Sequence, residues 1–251
     1  MEGNMERKQL NSVQGQLTDF ESISLDEMSG VSLMDRIDTK FIFERSKLDD
    51  VINLIQPHYK CLEINDSRIA SYKTDYFDTK TCGLYIAHHN KKQGRYKIRF
   101  REYVESKLSF LEVKFKSNKG KTYKSRIKEW IDPSGFTSEG GDFLSEKTPF
   151  SKDDIVHKLT NRFSRITLVN KREAERLTID LSLTYSNEKK VVNLDNLVVL
   201  EVKQGKLNRN SMVMKLMKAK GIYNASFSKY TTGMAILYTD LKYNNFKANL
   251  L

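Results

Sequence analysis

Cysteine is nearly missing from this 251-residue chain: Cys61 and Cys82 are the only two. Two thiols cannot build a disulfide framework, and their spacing does not suit a zinc site. A reducing, cytoplasmic setting is the simplest expectation. Long apolar runs are missing as well. No stretch approaches the ~20 residues that a membrane-spanning helix needs. Met1-Glu2-Gly3-Asn4-Met5-Glu6-Arg7-Lys8 offers no apolar core for a signal peptide, so neither a leader nor a membrane segment is expected. Proline occurs three times, and acids are outnumbered: 43 Lys and Arg against 32 Asp and Glu give a formal charge of +11. That balance implies a polyanionic partner, whether nucleic acid, acidic lipid or phosphate chains. With 39% hydrophobic and 30% charged residues, the chain can bury a full globular core.

What is present is a set of strictly alternating segments. Lys97-Ile98-Arg99-Phe100-Arg101 places three cations on one side and two apolar residues on the other. Leu111-Glu112-Val113-Lys114-Phe115-Lys116 repeats the pattern, with Glu112, Lys114 and Lys116 sharing a face. The turn-like Ser117-Asn118-Lys119-Gly120 leads into a third such segment, where Lys124, Arg126 and Lys128 align. Period two is the signature of a β-strand. Same-face residues lie roughly 6.6–7 Å apart along it, so three neighbouring strands tile one sheet face with cations.

Elsewhere, Asp35-Arg36-Ile37-Asp38-Thr39-Lys40-Phe41-Ile42-Phe43 alternates in the same way, with Arg36, Asp38 and Lys40 on one face. Ser46, with Asp49 three residues on, reads as an N-cap for a helix carrying Leu48, Val51, Ile52 and Ile55 and stopped by Pro57. Residues 69–78 are β-rich, and 81–87 read as a short helix. Pro133, Gly135, Gly140, Gly141 and Pro149 break 132–159 into an outer connector, in which Ile155, Val156 and Leu159 suggest one short helix. Further strands are expected at 165–170, 174–183, 191–194 and 197–203, with Arg176, Thr178 and Asp180 on one face. Ser211 should cap a helix carrying Val213, Leu216 and Met217 and closed by Gly221. The organisation expected is an arm or short helix over 1–30, one domain over 31–240 and a basic tail over 241–251. About eight strands with few helices point to an α+β, mainly β fold: an eight-stranded antiparallel closed tunnel barrel with flanking helices.

The charged stripes are almost wholly basic where a solvated sheet would mix signs. Their few acids recur beside cations: Asp38 near Lys40, Glu112 near Lys114, Glu201 near Lys203. Cations that neutralise phosphoryl oxygens, with carboxylates for a bridging divalent ion, suit a metal-bound polyphosphate. The apolar stripes would then pack outward against the helices. Adjacent His88 and His89 point opposite ways in an extended chain and read as structural, as do Tyr72, Tyr76, Phe77, Asp75 and Asp78.

Seven ordered motifs carry a resemblance. They are Arg36-Ile37-Asp38-Thr39-Lys40-Phe41, Tyr76-Phe77-Asp78-Thr79, His88-His89-Asn90, Arg95-Tyr96-Lys97-Ile98-Arg99-Phe100-Arg101, Leu108-Ser109-Phe110-Leu111-Glu112-Val113-Lys114-Phe115-Lys116, Leu200-Glu201-Val202-Lys203 and Phe227-Ser228-Lys229-Tyr230. From about Leu33 to Met234 the chain resembles the VTC domain, the catalytic module of the vacuolar transporter chaperone polyphosphate polymerases. That domain belongs to the CYTH, or triphosphate tunnel metalloenzyme, superfamily. The resemblance implies a metal-dependent phosphotransferase that moves the terminal phosphoryl of ATP onto polyphosphate or pyrophosphate, with Mn²⁺ or Mg²⁺.

Carried over residue by residue, Lys40, Arg99, Arg101, Lys114, Lys124, Arg172, Arg176 and Lys229 match the family's phosphate-binding cations, and Glu201 its principal metal ligand. Asp38, Glu112 and Asp180 are secondary metal candidates. Arg36, Lys97, Lys116, Arg126, Lys203 and Ser228 join the substrate-binding set as residues of the same faces and motifs. Two positions differ from the family. The superfamily's Glu-x-Glu-x-Lys reads Arg36-x-Asp38-x-Lys40, which is usual for VTC domains and argues against a two-metal triphosphatase. A second lysine of the eukaryotic polymerases is replaced by Ser226. Hydrolysis of triphosphate or short polyphosphate, and non-catalytic regulatory binding of polyphosphate, remain alternatives. A nucleic-acid partner fits poorly, because carboxylates interleave with the cations and no aromatic platform shares their face.

Overall fold

The alternating segments form the strands of a mostly antiparallel sheet in the computed structural model, which describes residues 13–29, 36–130 and 135–249. The beginning of the expected arm (1–12), residues 30–35, residues 131–134 with Pro133, and the last two residues of the basic tail lie outside the described residues. The chain divides into two units, each treated by itself.

The first unit takes the described residues of Met1–Ser71, Phe163–Leu183 and Asn193–Phe227. In it β1 (Glu21–Ile23) runs parallel to β3 (Tyr59–Leu62), and β2 (Ile37–Glu44) pairs antiparallel with β11 (Leu197–Gln204). Strand β11 also pairs antiparallel with β9 (Glu175–Ser186), and β3 with β8 (Ile155–Asn170). Phe41 and Phe43 of β2, Leu177 and Ile179 of β9, and Leu200 and Val202 of β11 point into one buried cluster. Two helices close that cluster: α2 (Leu48–Ile55), through Leu48, Val51, Ile52 and Ile55, and α5 (Met212–Ala219), through Val213 and Met217. Full burial of such a side chain contributes about 1.5–3 kcal/mol. A short helix, α1 (Leu25–Ser29), precedes β2. The segment ahead of it is anchored, because Val13, Leu17 and Phe20 enter the same cluster and Arg68 donates to the carbonyls of Leu17 and Phe20.

The second unit takes the described residues of Tyr72–Arg162, Thr184–Val192 and Ser228–Leu251. Strand β4 (Ala70–Thr79) pairs antiparallel with β5 (Arg95–Tyr103), β5 with β6 (Leu108–Lys116), and β6 with β7 (Thr122–Lys128). Ile98, Phe100, Leu111 and Val113 form their own cluster with Leu84 of α3 (Gly83–His89) and Phe143 and Leu144 of α4 (Ser138–Lys147). Gly120, at φ +76°, makes the β6–β7 turn, and its N–H donates to the Ser117 carbonyl at 3.1 Å. Helix α6 (Lys229–Leu237) completes the unit.

Four expectations are corrected. The hydrogen-bonded order is β2-β11-β9-β8-β4-β5-β6-β7, with β1, β3 and β10 (Val191–Leu194) off that path. It is open, since no ladder among the described residues joins β2 to β7. Ser46 does not cap α2: a 3₁₀ turn over Arg45–Lys47 comes first, and the Ser46 hydroxyl donates to Glu44 instead. Ser211 stands at the N-cap of α5 but its hydroxyl accepts from Gln204, without capping. The connector's helix is α4, and Ile155, Val156 and Leu159 belong to the 16-residue strand β8.

Candidate functional site

Because side chains alternate across a strand, burying the apolar stripe of each unit sets its charged stripe on the opposite sheet face. In the first unit the ladder places Glu201 opposite Lys40 on one side and Thr178 on the other. Lys203 stands opposite Asp38 and Arg176. The Lys203 ammonium lies 2.5 Å from Glu201 Oε2 and donates to Thr178 Oγ1 at 3.1 Å. Lys40 lies 3.6 Å from Glu201 Oε1 and donates to the Phe227 carbonyl at 2.8 Å. Burial alone would raise the Glu201 pKa, but Lys203, Lys40 and Arg165 outweigh it and hold the group at about 2. Glu201 is therefore an anion at any physiological pH. Arg176 is shifted the other way: burial, then Arg36 and Arg165, lower its pKa despite Asp38 and Glu201. Excess cation in one place is what an incoming polyanion would relieve.

Sequence reasoning missed Arg165. It grips Asp180 in a two-pronged pair, Nε to Oδ1 at 2.6 Å and Nη2 to Oδ2 at 2.8 Å. Its place on the β8 stripe, one residue before buried Ile166, was the signal that could have found it. Asp38 pairs with Arg36 at 3.0 Å. Arg172 lies in the exposed turn after β8, where its backbone N–H donates to Asn170 Oδ1.

The second unit holds another cluster. Glu112, on β6, lies opposite Arg99 of β5 and Arg126 of β7. Its Oε2 is 2.6 Å from both Nε and Nη2 of Arg99, and its Oε1 is 2.5 Å from Lys124 Nζ. Burial would raise its pKa, yet Arg99, Arg101 and Lys124 bring it to about 2. Arg101 is buried, donates to Thr74 Oγ1 at 3.4 Å and lies over the Tyr72 ring. Arg126 covers Phe110, 4.6 Å from the ring centroid. Lys97 donates to the Ser228 hydroxyl at 2.9 Å, and that oxygen caps α6, of which Lys229 is the first residue. Lys114 faces Lys97 and Lys124 across the ladders and is exposed, as is Lys116. His88 is neutral: burial, then Lys97, push its pKa down to about 3, and its Nε2 faces the Tyr96 carbonyl at 3.0 Å.

The expected divalent ion has a narrow fit. No three His, Cys, Asp or Glu groups converge among the described residues, so these residues supply no all-protein cage. Both oxygens of Asp180 are taken by Arg165, and both of Glu112 by Arg99 and Lys124. An ion carried mainly by phosphate oxygens needs only one or two protein carboxylates. Glu201 fits that role, being ionised, with Oε1 no closer than 3.6 Å to Lys40.

The "putative adenylate cyclase" of Bacillus halodurans superposes with a TM-score of 0.52 at 13% identity, over 81% of this chain and 97% of that one. The "putative adenylyl cyclase" of Hippeastrum, described as having a dominant triphosphatase activity, gives 0.52 at 14% identity, over 83% of this chain and 100% of that one. These likenesses establish a shared fold. No curated protein matches the sequence. The VTC domain matches residues 35–131 and 146–238, which takes in β2, β5 to β7, β9 and β11 with both cation clusters, and the chain belongs to the VTC domain family.

Proposed function

We propose that the protein is a metal-dependent phosphotransferase that moves the terminal phosphoryl group of ATP onto a polyphosphate or pyrophosphate acceptor held by the cations of its charged sheet faces. The tunnel expected from the sequence is part of this proposal, as are the choice of Mn²⁺ or Mg²⁺ and the roles of individual residues. The observation that supports it best is Glu201, held ionised between Lys203 and Lys40 on the face opposite the apolar core. Membership in the VTC domain family agrees with it.

Phosphoryl transfer asks a protein mainly to position groups and to stabilise charge. Lys40, Lys203 and Arg176 in one unit, and Arg99, Arg101, Lys124 and Lys97 in the other, supply donors for phosphoryl oxygens. Charge-assisted contacts of this kind are roughly twice as strong as neutral hydrogen bonds. Glu201 would hold the divalent ion, which when bound neutralises charge across neighbouring phosphoryl oxygens. The acceptor oxygen of a phosphate is already anionic, so no side chain is needed as a general base. His88 fits this economy, since it is neutral and its Nε2–H is directed at a backbone carbonyl.

Hydrolysis of triphosphate is the second reading. The Hippeastrum protein with the same fold is described by its triphosphatase activity, and Ser226 stands where the polymerases carry a lysine. Incubation with ATP and Mn²⁺, followed by electrophoresis of the products, separates the two. A ladder of condensed phosphates is expected. Free phosphate without a ladder would replace the transferase reading by the hydrolase, and neither product would overturn both.

A further inference from the structure

Glu112 has no part in the proposed transfer, yet it is among the most completely buried charged groups of the chain. Only 1% of its side chain is exposed, whereas 24% of Arg99 and 45% of Lys124 reach solvent. The carboxylate thus lies beneath its cations. Arg99 gives it both Nε and Nη2, and Lys124 its ammonium. Arg101 adds its field. Three features argue against a metal ligand. The group is sealed from solvent, each of its oxygens lies against a cation, and no cluster of three His, Cys, Asp or Glu side chains includes it among the described residues.

A buried anion under solvent-reaching cations has two physical effects. It fixes where the guanidinium and the ammonium stand, and it cancels part of the field they present outward. We propose that Glu112 is an affinity-setting residue: it holds Arg99 and Lys124 in place from below and weakens their grip on phosphate, so that a highly charged ligand can leave. The proposal rests on the reading of this cluster as a phosphate site, and it requires neither transfer nor a metal. It also separates the two carboxylates chemically. Glu201 acts with a divalent ion, whereas Glu112 acts on the anion directly.

The test is tripolyphosphate binding by calorimetry in EDTA, with the full chain and with Glu112→Gln and Glu112→Asp. The amide keeps the shape and loses the charge, so tripolyphosphate should bind at least about tenfold more tightly, and leave more slowly, than from the unaltered chain. Aspartate keeps the charge but withdraws it by one methylene, and should tighten binding only about two- to threefold. Weaker or unchanged binding in Glu112→Gln would overturn the proposal, since positioning alone or metal ligation predicts those results. If the amide variant fails to fold, the aspartate variant decides by the same sign. If tripolyphosphate binds none of the three, the phosphate-site reading falls with it. Binding by the unaltered chain with no gain in either variant overturns this proposal alone.

Discussion

Tyr230 donates its hydroxyl hydrogen to the fully buried carboxylate of Asp78. The same carboxylate accepts from the N–H of Thr79 at 2.6 Å, of Leu84 at 2.8 Å and of Tyr85 at 2.9 Å. Asp78 therefore satisfies the start of α3, where Cys82 gives no side-chain cap, and ties it to the first turn of α6. The negative charge also suits a helix N-terminus. Tyr230→Phe removes one bond and should cost about 0.5–1.5 kcal/mol. Asp78→Ala strands several buried donors at once, each worth about 1–3 kcal/mol. Urea unfolding should rank the two in that order, with the alanine variant losing more than about 3 kcal/mol.

Arg99→Ala is expected to lower turnover by on the order of 10²–10³, the usual cost of removing one preorganised donor in phosphoryl or acyl transfer. It also leaves Glu112 without its main partner, so part of the loss should appear as instability. Arg99→Lys separates the two effects: it restores the charge but not the two-pronged contact. Initial rates and melting curves on both variants decide. Full turnover in Arg99→Ala would remove this cluster from the catalytic account.

Glu201→Gln should act through the metal. Loss of the carboxylate is expected to raise the Mn²⁺ concentration for half-maximal rate by at least the roughly 10–100-fold that outer partners of a metal site cost. Tripolyphosphate binding in EDTA should not weaken, because the substitution removes an anion beside Lys203 and Lys40. An unchanged Mn²⁺ requirement would withdraw Glu201 from this role.

The two carboxylates also predict an acid limb of stability. Glu112 and Glu201 are both lowered from 4.5 to about 2 in the folded chain. A group with a depressed folded pKa stabilises fully above its unfolded value, and the contribution is lost as pH falls toward the folded one. Each shift corresponds to about 3 kcal/mol at most. Unfolding free energy should therefore begin to fall below about pH 6.5, where His88 protonates in the unfolded chain but is held neutral by burial in the folded one, and fall more steeply as the two carboxylates join from about 4.5 to 2. The glutamine variant at either position should show a shallower slope over that window.

The charged stripes were legible in the sequence because period-two alternation survives any tertiary context that buries one face. Lys97 to Arg101, Glu112 to Lys116 and Glu201 to Lys203 all lie on strands, with their apolar neighbours in the cores. Cap positions were less legible, since Ser46 and Ser211 carry the right chemistry but other bonds engage them. The Arg99–Glu112–Lys124 and Lys40–Glu201–Lys203 triads depend on register, which a single strand's pattern does not contain. The connector misled for a different reason: its glycines were read as breakers, whereas two of them are helical.

Gly140 and Gly141 lie in the first turn of α4, a helix whose N-cap is Thr137. The Thr137 hydroxyl accepts from the Gly140 N–H at 3.1 Å and donates to Glu129 Oε1 at 2.9 Å, while the Thr137 N–H donates to that same oxygen at 3.1 Å. A Cβ on Gly140 would collide with all three carboxylate atoms of Glu129. The carboxylate cannot swing aside without releasing both Thr137 donors. Helix propensity alone makes Gly→Ala favourable by about 1 kcal/mol, so the two effects oppose each other. Displacing Glu129 costs the cap, worth about 0.5–2 kcal/mol, and adds overpacking of about 1–3 kcal/mol. Gly140→Ala should therefore destabilise the chain by about 1–3 kcal/mol. At Gly141 the nearest contact is the flexible Lys152 side chain at 3.4 Å, so Gly141→Ala should be neutral or stabilising. Opposite signs in urea unfolding would show that the glycine at 140 is there to admit a carboxylate, and equal signs would refute that account.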